Sequence, residues 1–328
     1  MSEKVQNKFS TQNLINGIYD GNRLMLSKAI TLIESKKPDD QSQARFLIDS
    51  IILKQTKSLR IGITGVPGVG KSTFIESLGL YAIGNGKKVA VLSVDPSSTI
   101  SKGSILGDKT RMTNLSQHEL AFIRPSPSGN FTGGVAQKTR ETILLCEAAG
   151  FDIIIIETMG VGQAEVMVKE MVDFYLVLML AGGGDELQGI KRGITELADA
   201  IAINKADGDN YQNSLIAKKS FENALHYFPE HENGWIVPVN ICSALENIGI
   251  DIIWETVSSF RKLTNTNGWF QKNRQEQNVH WMNELIESRL KEEFYNKPEI
   301  KVLLNSITAS VKSGIISVRS ALNQIFES

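Results

Sequence analysis

Residues 59–73 read LRIGITGVPGVGKST, and this stretch decides the fold class. Its first part is an apolar strand, and its second part satisfies GxxxxGK[ST], the pattern of a phosphate-binding loop between a strand and a helix. Glycines let the backbone approach an anion, and the N–H groups of the loop and of the helix N-terminus point at it. We therefore predict a nucleotide-phosphate site made of Gly65, Val66, Pro67, Gly68, Val69, Gly70, Lys71, Ser72 and Thr73.

Two side chains of this loop and one downstream carboxylate predict the catalytic chemistry. Lys71 supplies a cation for the β- and γ-phosphates, and the Ser72 hydroxyl is a ligand for Mg2+. An apolar run ends in Glu157, whose carboxylate can hold the same metal, and the amide of Gly160 can contact the γ-phosphate. Val161 stands where many GTPases place the glutamine that orients the attacking water.

The tetrapeptide Asn-Lys-Ala-Asp that ends at Asp207 predicts the base. An ionised Asp207 accepts hydrogen bonds from guanine N1–H and the 2-amine, whereas adenine offers neither donor there. We expect Asn204 to brace the loop and the stem of Lys205 to cover the base. Ser243 and Ala244 follow another predicted strand and form a second, weaker candidate for guanine contact.

Two further polar stretches follow predicted strands. The first contains Asp95, Asp108 and Arg111, which can serve the metal and the phosphates, although Asp-Pro-Ser-Ser at its start is equally good turn chemistry. The second is the glycine-rich segment 181–192, either a loop that moves or a flexible connector.

Short β-type runs that alternate with helical patterns predict the rest of the fold. This alternation indicates an α/β fold with a doubly wound, mainly parallel sheet and helical extensions at both ends. We predict an N-terminal helical segment at 1–57, a P-loop GTPase domain at 58–250 and a C-terminal helical segment at 251–328. The β-type runs lie at 59–64, 88–94, 121–124, 152–157, 174–180, 200–204 and 236–240.

Composition argues against several classes of function. The chain has 328 residues with 35 basic and 36 acidic side chains, so it offers no global positive field for nucleic acid. Its two cysteines, Cys146 and Cys242, fit a reducing compartment without a disulfide scaffold. The N-terminal residues lack the apolar region of a secretory signal, and the apolar runs are far shorter than the roughly 20 residues that cross a bilayer. We expect a cytoplasmic protein without membrane insertion.

Five stretches together resemble the MeaB/ArgK family of P-loop GTPases: GVPGVGKST, SVDPSS…GSILGDKTRM, ETMGVGQAE, GGGDELQGIKRGI and NKAD. The resemblance implies a homodimeric chaperone of an adenosylcobalamin-dependent acyl-CoA mutase, chiefly methylmalonyl-CoA mutase. Such a chaperone uses GTP and Mg2+ to gate cofactor loading and to protect the mutase. The C-terminal helical segment would then supply the dimer contact.

The same resemblance implies roles for residues whose roles cannot be decided from side-chain chemistry alone. It makes Asp95, Asp108 and Glu157 the metal-site carboxylates and Arg111 a phosphate contact. It also makes the glycine-rich segment a switch that responds to the mutase, with Lys191 a candidate for stabilising charge in the transition state.

Two other functions stay open at this point. A kinase or ATPase linked to amino-acid transport, which is an older label within the same family, suits the phosphate loop but not the NKAD tetrapeptide. A metallochaperone GTPase of the nickel or zinc type needs a cluster of cysteines and histidines, and here the two cysteines and four histidines are scattered along the chain. A comparison of GTP and ATP binding distinguishes a GTPase from the kinase or ATPase. A transition metal bound stoichiometrically to the purified protein would favour the metallochaperone.

Overall fold

The computed structural model describes residues 11–54, 57–94, 112–124, 132–158, 164–182 and 192–326. Within these ranges one sheet contains seven strands: β1 (Leu59–Gly65), β2 (Val89–Val94), β3 (Ala121–Arg124), β4 (Ile153–Thr158), β5 (Phe174–Leu180), β6 (Ala200–Asn204) and β7 (Val239–Ile241).

The sheet is parallel throughout, in the order β3-β2-β4-β1-β5-β6-β7. Strand β1, which precedes the phosphate loop, is therefore the central strand, and its Ile61 aligns with Ile155 on one side and Phe174 on the other. Its neighbours are buried on both faces and consist mostly of apolar residues, as expected when helices cover both sides of a parallel sheet. The predicted α/β fold with a doubly wound parallel sheet is confirmed.

Helices cover both faces and extend the chain at both ends. One apolar cluster packs the three N-terminal helices and the helix at Thr132–Ala148 on one face, and a second packs the helices at Lys71–Gly84 and Ile250–Thr266 on the other. The helices of the described residues are α1 (Thr11–Tyr19), α2 (Arg23–Glu34), α3 (Pro38–Ile51), α4 (Lys71–Gly84), α5 (Thr113–Gln117), α6 (Thr132–Ala148), α7 (Ala164–Lys169), α8 (Arg192–Glu196), α9 (Tyr211–Leu225), α10 (Ile250–Thr266), α11 (Trp269–Asn296), α12 (Pro298–Lys312) and α13 (Val318–Phe326), with a 3-10 turn at Gly208–Asn210.

The bounds of β1, β2 and β4 differ from the sequence prediction by one residue, and larger differences occur towards the C-terminus. The seventh strand begins at Val239 and not at Ile236, because Pro238 has no N–H to donate and Ile236 is exposed. The last part of the predicted C-terminal helical segment, 251–328, is divided into two helices, α12 and α13. Gly314 interrupts it with a left-handed φ of 71° that favours glycine.

The chain divides into two compact units, residues 1–274 and 275–328. Within the second unit, the Phe294 ring stacks on Phe326 at 5.0 Å, and Ile300 and Ile307 of α12 are buried. None of the helices in the described ranges is both long enough and apolar enough to span a bilayer.

A buried ionic network lies where β1 and β5 begin, at the sheet edge opposite the phosphate loop. The Arg60 guanidinium donates two hydrogen bonds of 2.9 Å to Glu147, which also accepts one of 2.6 Å from the Ser58 hydroxyl. Arg274 of α11 donates two bonds of 2.7 Å to Asp173, and Asp173 also accepts the backbone N–H of Arg60 at 2.8 Å. The network therefore joins β1, α6, β5 and the first turns of α11.

The carboxyl of Glu147 is held in its charged form by its neighbours. Burial alone raises its pKa, but the charge and hydrogen bonds of Arg60, the charge of Arg274 and the Ser58 hydroxyl outweigh burial and hold the pKa below its ordinary value. A carboxyl whose folded-state pKa is depressed contributes stability that is complete above its unfolded-state pKa, about 4.3, and is lost as pH falls through the folded-state pKa.

We predict that Glu147→Gln lowers the free energy of unfolding at pH 7 by about 3–5 kcal/mol, because it leaves two buried guanidiniums short of a counter-charge. Urea unfolding of both proteins between pH 7 and pH 3 measures this. The difference should shrink as the pH falls, since the wild type loses the same charge. Glu222→Gln, which alters an exposed pair with Lys218, is the control and should change stability by under about 1 kcal/mol. A difference that stays constant with pH would contradict the assignment.

Candidate nucleotide-binding site

The parallel sheet brings the predicted site residues to one edge. The carboxyl ends of parallel strands meet at the same edge, so the loop after β1, Glu157 in β4, Asn204 at the end of β6 and Ser243 after β7 lie along it. Gly65 ends β1, and the loop leads into α4 at Lys71. The five loop residues between these ends are Val66, Pro67, Gly68, Val69 and Gly70, and Ser72 and Thr73 follow in the first turn of α4.

The Lys71 side chain folds back over the loop that precedes it. Its Nζ donates to the carbonyl of Gly65 at 2.8 Å and lies 3.5 Å from the carbonyl of Val66. Burial lowers the pKa of Lys71 below its ordinary value, and the charges of Glu157 and Glu165 act in the opposite direction. Two buried carboxylates thus stabilise the ammonium group beside the loop.

An oxygen-rich pair lies next to Lys71 and fits a hard cation. The Ser72 Oγ is 3.4 Å from Oε1 of Glu157, and Glu157 is only 2% exposed. The ends of β4 and β1 are tied by a 2.8 Å hydrogen bond from the Thr158 hydroxyl to that of Thr64, which fixes the strand position from which Glu157 projects. A hydroxyl and a carboxylate are ligands of the kind that Mg2+ takes in phosphate sites, so Ser72 and Glu157 are the described residues that would hold it.

Asn204 connects the phosphate loop to the loop that follows β7. Its buried side chain donates from Nδ2 to the carbonyl of Val69 at 2.8 Å and accepts at Oδ1 the N–H of Ala244 at 3.0 Å. The Cys242 thiol lies 3.6 Å from the same Oδ1. Burial raises the pKa of Cys242 to about 12, so the thiol stays protonated and can act as a weak donor.

The tetrapeptide that contains Asn204 continues into a well-defined turn. The carboxylate of Asp207 accepts a 2.5 Å hydrogen bond from the hydroxyl of Ser243. Lys205 has a left-handed backbone, with φ of 59°, and its carbonyl accepts a hydrogen bond from the Asn210 side chain at 2.8 Å. The Lys205 stem runs beside the phosphate loop, because a Cβ on Gly70 would lie 3.8 Å from its Cε.

The structure brings most of the predicted site residues together and reveals two that the sequence did not suggest. Ser77 of α4 is buried and bonded to the loop after β7, and the buried Glu165 of α7 is a charge neighbour of Lys71. Ser77 directly follows the charged Glu76, and no local pattern identifies either residue as part of the site. The predicted residues that lie outside the described ranges are Asp95, Asp108, Arg111, Gly160 and Lys191.

The central strand of this parallel sheet leads into a glycine-rich loop, and the helix that follows begins with Lys-Ser. This arrangement defines the class of P-loop NTPases. The chain belongs to the family described as methylmalonyl Co-A mutase-associated GTPase MeaB, whose model matches residues 26–299.

Relatives and a solved structure agree with this membership over nearly the whole chain. The chain is 44% identical to the GTPase ArgK of Escherichia coli over 321 residues, which cover 98% of this chain and 97% of that protein. It is 40% identical to the mitochondrial methylmalonic aciduria type A homolog of Mus musculus, over 93% of this chain and 76% of that protein. A crystal structure described as the LAO/AO transport system kinase superposes with a TM-score of 0.79, at 39% identity and 98% coverage of both chains.

We predict that Gly70→Ala weakens GTP binding at least about tenfold, because Gly70 has φ of 92° and an added Cβ would lie 3.0 Å from Nδ2 of Asn204. Left-handed strain at a residue with a side chain costs on the order of 1–3 kcal/mol. Isothermal titration calorimetry measures the affinity. Gly84→Ala is the control on the same helix, where an added Cβ meets no atom within 4 Å and should raise stability by roughly 0.5–1 kcal/mol. Unchanged GTP affinity in Gly70→Ala would contradict the role of this close contact.

Proposed function

We propose that this protein binds GTP with Mg2+ and hydrolyses it to GDP and phosphate. The observation that carries the proposal is the Asn204 side chain, which holds the phosphate loop at Val69 and the loop after β7 at Ala244. A ligand with phosphates at one end and a base at the other fits a site whose two ends are joined in this way. The relatives named as GTPases support the same activity.

The phosphate end supplies the catalytic groups. Lys71 balances charge on the β- and γ-phosphates. Ser72 and Glu157 would hold Mg2+, which would supply further positive charge for phosphate transfer. Asp95 and Asp108 are proposed as further metal carboxylates. Within the same proposal, Gly160 contacts the γ-phosphate through its amide, and Arg111 and Lys191 bring positive charge to the transition state.

The base end selects guanine. Asp207 is oriented by the Ser243 hydroxyl, and its carboxylate has further lone pairs that can accept the N1–H and 2-amine of guanine. The aliphatic stem of Lys205 covers one face of the base. A site built to accept these donors discriminates against a base that lacks them by roughly 10⁴ or more, because the partner would stay unpaired.

We predict that Asp207→Asn loses the preference for GTP and gains binding of xanthosine triphosphate, because the amide offers a donor where xanthine presents an oxygen. Affinities for the two nucleotides are measured by calorimetry. The control is Asp209→Asn, which removes the same charge from an exposed position two residues away and should leave the preference unchanged. Wild-type GTP affinity in Asp207→Asn would reject the guanine assignment.

The second candidate is an activity that uses an adenine nucleotide. It is considered because the similar solved structure is described as a transport system kinase, and kinases ordinarily use ATP. The two candidates differ at the base end of the site, since adenine cannot satisfy Asp207 in the manner described. Parallel titrations with GTP and ATP decide between them. Micromolar ATP binding with no measurable GTP binding would favour the kinase or ATPase.

We propose further that the protein is a cytoplasmic, homodimeric chaperone of an adenosylcobalamin-dependent acyl-CoA mutase, most simply methylmalonyl-CoA mutase. The family description and the name of the mouse relative support this partner. For the homodimer, support comes from the C-terminal helices, where α11 carries a stripe of exposed apolar residues at spacings of three and four. The stripe consists of Val279, Met282, Ile286 and Leu290.

We predict that GTP hydrolysis is slow in the free protein and rises at least about tenfold when the mutase binds. Val161 leaves no glutamine to orient water, and a charge brought to the transition state is worth about 10³ to 10⁵ in rate. Single-turnover hydrolysis is measured with and without methylmalonyl-CoA mutase for the wild type, Arg111→Ala and Lys191→Ala. Lys219→Ala, at an exposed position on α9, is the control. Equal wild-type rates in both conditions would reject activation by the partner, and full activation of both site variants would show that neither residue mediates it.

A further inference from the structure

Ser77 lies in the helix that starts with the phosphate-binding residues, yet its hydroxyl serves a different part of the site. Its Oγ donates a 2.6 Å hydrogen bond to the carbonyl of Ala244, in the loop after β7, and both groups are buried. Ser77 is six positions after Lys71, which corresponds to about 9 Å along an α-helix. The rigid first half of α4 therefore reaches from the phosphate end of the site to the base end.

The loop that Ser77 contacts is closed upon itself. The backbone of Ser243 exchanges two hydrogen bonds of 3.0 Å with that of Ile248, and the Ser243 hydroxyl accepts the N–H of Glu246 at 3.2 Å. The same hydroxyl holds the carboxylate of Asp207 at 2.5 Å. A displacement of Ala244 would therefore move Ser243, and with it the carboxylate assigned to the base.

We propose that Ser77 is a positioning residue for base recognition, and that it acts through Ala244 and Ser243 on Asp207. The proposal rests on the proposed guanine-specific function and names a residue that controls its selectivity. Ser77 fixes the loop carbonyl to the helix that starts at Lys71, and Asn204 fixes the adjacent N–H to the phosphate loop. Both backbone groups of Ala244, its C=O and its N–H, are thus held by hydrogen bonds. Because Ser77 and Lys71 belong to the same helix, α4 sets the distance between the phosphate end and the base end of the site.

The physical consequence of losing this donor is specific. Without the Ser77 hydroxyl, the buried carbonyl of Ala244 loses the donor on α4. A shift of the loop that brings this carbonyl to another donor or to water then lowers the free energy, because an unpaired buried carbonyl is costly. Such a shift misaligns Asp207 while leaving Lys71 and the loop glycines in place. Base selectivity should therefore suffer, and phosphate binding should not.

The test compares Ser77→Ala with the wild type by calorimetry, using GTP, ITP and inorganic tripolyphosphate. ITP lacks the 2-amine that Asp207 would accept, and tripolyphosphate reports the phosphate end alone. We expect the ratio of GTP to ITP affinity to fall about fivefold in Ser77→Ala, with tripolyphosphate affinity unchanged. Ser77→Cys, which keeps a weaker donor of similar size, should give an intermediate ratio.

Thr142→Val provides the matched control. It removes one buried helix hydroxyl whose acceptor, the carbonyl of Lys138, belongs to its own helix α6. This variant should lose a similar amount of thermal stability without a change in the GTP-to-ITP ratio.

The outcomes separate the inference from the proposed function. A wild type that binds ATP as tightly as GTP would overturn the proposed guanine-specific function itself. A wild type that binds GTP and ITP equally would overturn the acceptance of the 2-amine by Asp207, and with it the role of Ser77. A wild type that prefers GTP, together with an equal preference in Ser77→Ala, would overturn the role of Ser77 alone. An equal loss of GTP, ITP and tripolyphosphate binding would assign Ser77 to general packing and would also overturn the inference.

Discussion

The two hydrogen bonds of the Asn204 side chain are the contact on which the geometry of the site depends. They join a loop after the central strand to a loop after an edge strand, across two intervening neighbours in the sheet. Because the amide is buried, losing either bond would leave a polar group without water or partner. The same amide requires glycine at position 70, since its Nδ2 lies 3.0 Å from where a Cβ would stand. One side chain thus constrains the sequence of the phosphate loop and the place of the base-end loop.

The opposite edge of the sheet is stabilised in a different way. There the two bidentate pairs, Arg60 with Glu147 and Arg274 with Asp173, add charged contacts between strands and helices. Breaking such a pair is costly because one buried charge remains uncompensated. At the site edge, the described side chains of Asn204, Thr158 and Ser77 hold loops and strand ends by neutral hydrogen bonds.

The sequence predicted the fold class and the short motifs because both depend on local patterns. Alternating β-type and helical runs give a parallel sheet, and the strand bounds 121–124, 174–180 and 200–204 agree with the structure. The seventh strand was predicted to begin three residues too early because Ile236 and Val237 are apolar, and hydrophobicity alone does not show that Pro238 delays pairing. Ser77 and the partner charges of Glu147 escaped prediction because their acceptors and donors lie more than 80 residues away. Contacts of that kind leave no periodic trace.

The two outer strands of the sheet are its shortest, with four residues in β3 and three in β7. An outer strand exposes unpaired N–H and C=O groups that can recruit a strand from another molecule, and a long flat one invites aggregation. Here each outer strand offers too little backbone to template more than a few intermolecular hydrogen bonds. Within the described part of the chain, the short outer strands therefore disfavour strand-to-strand polymerisation by their length.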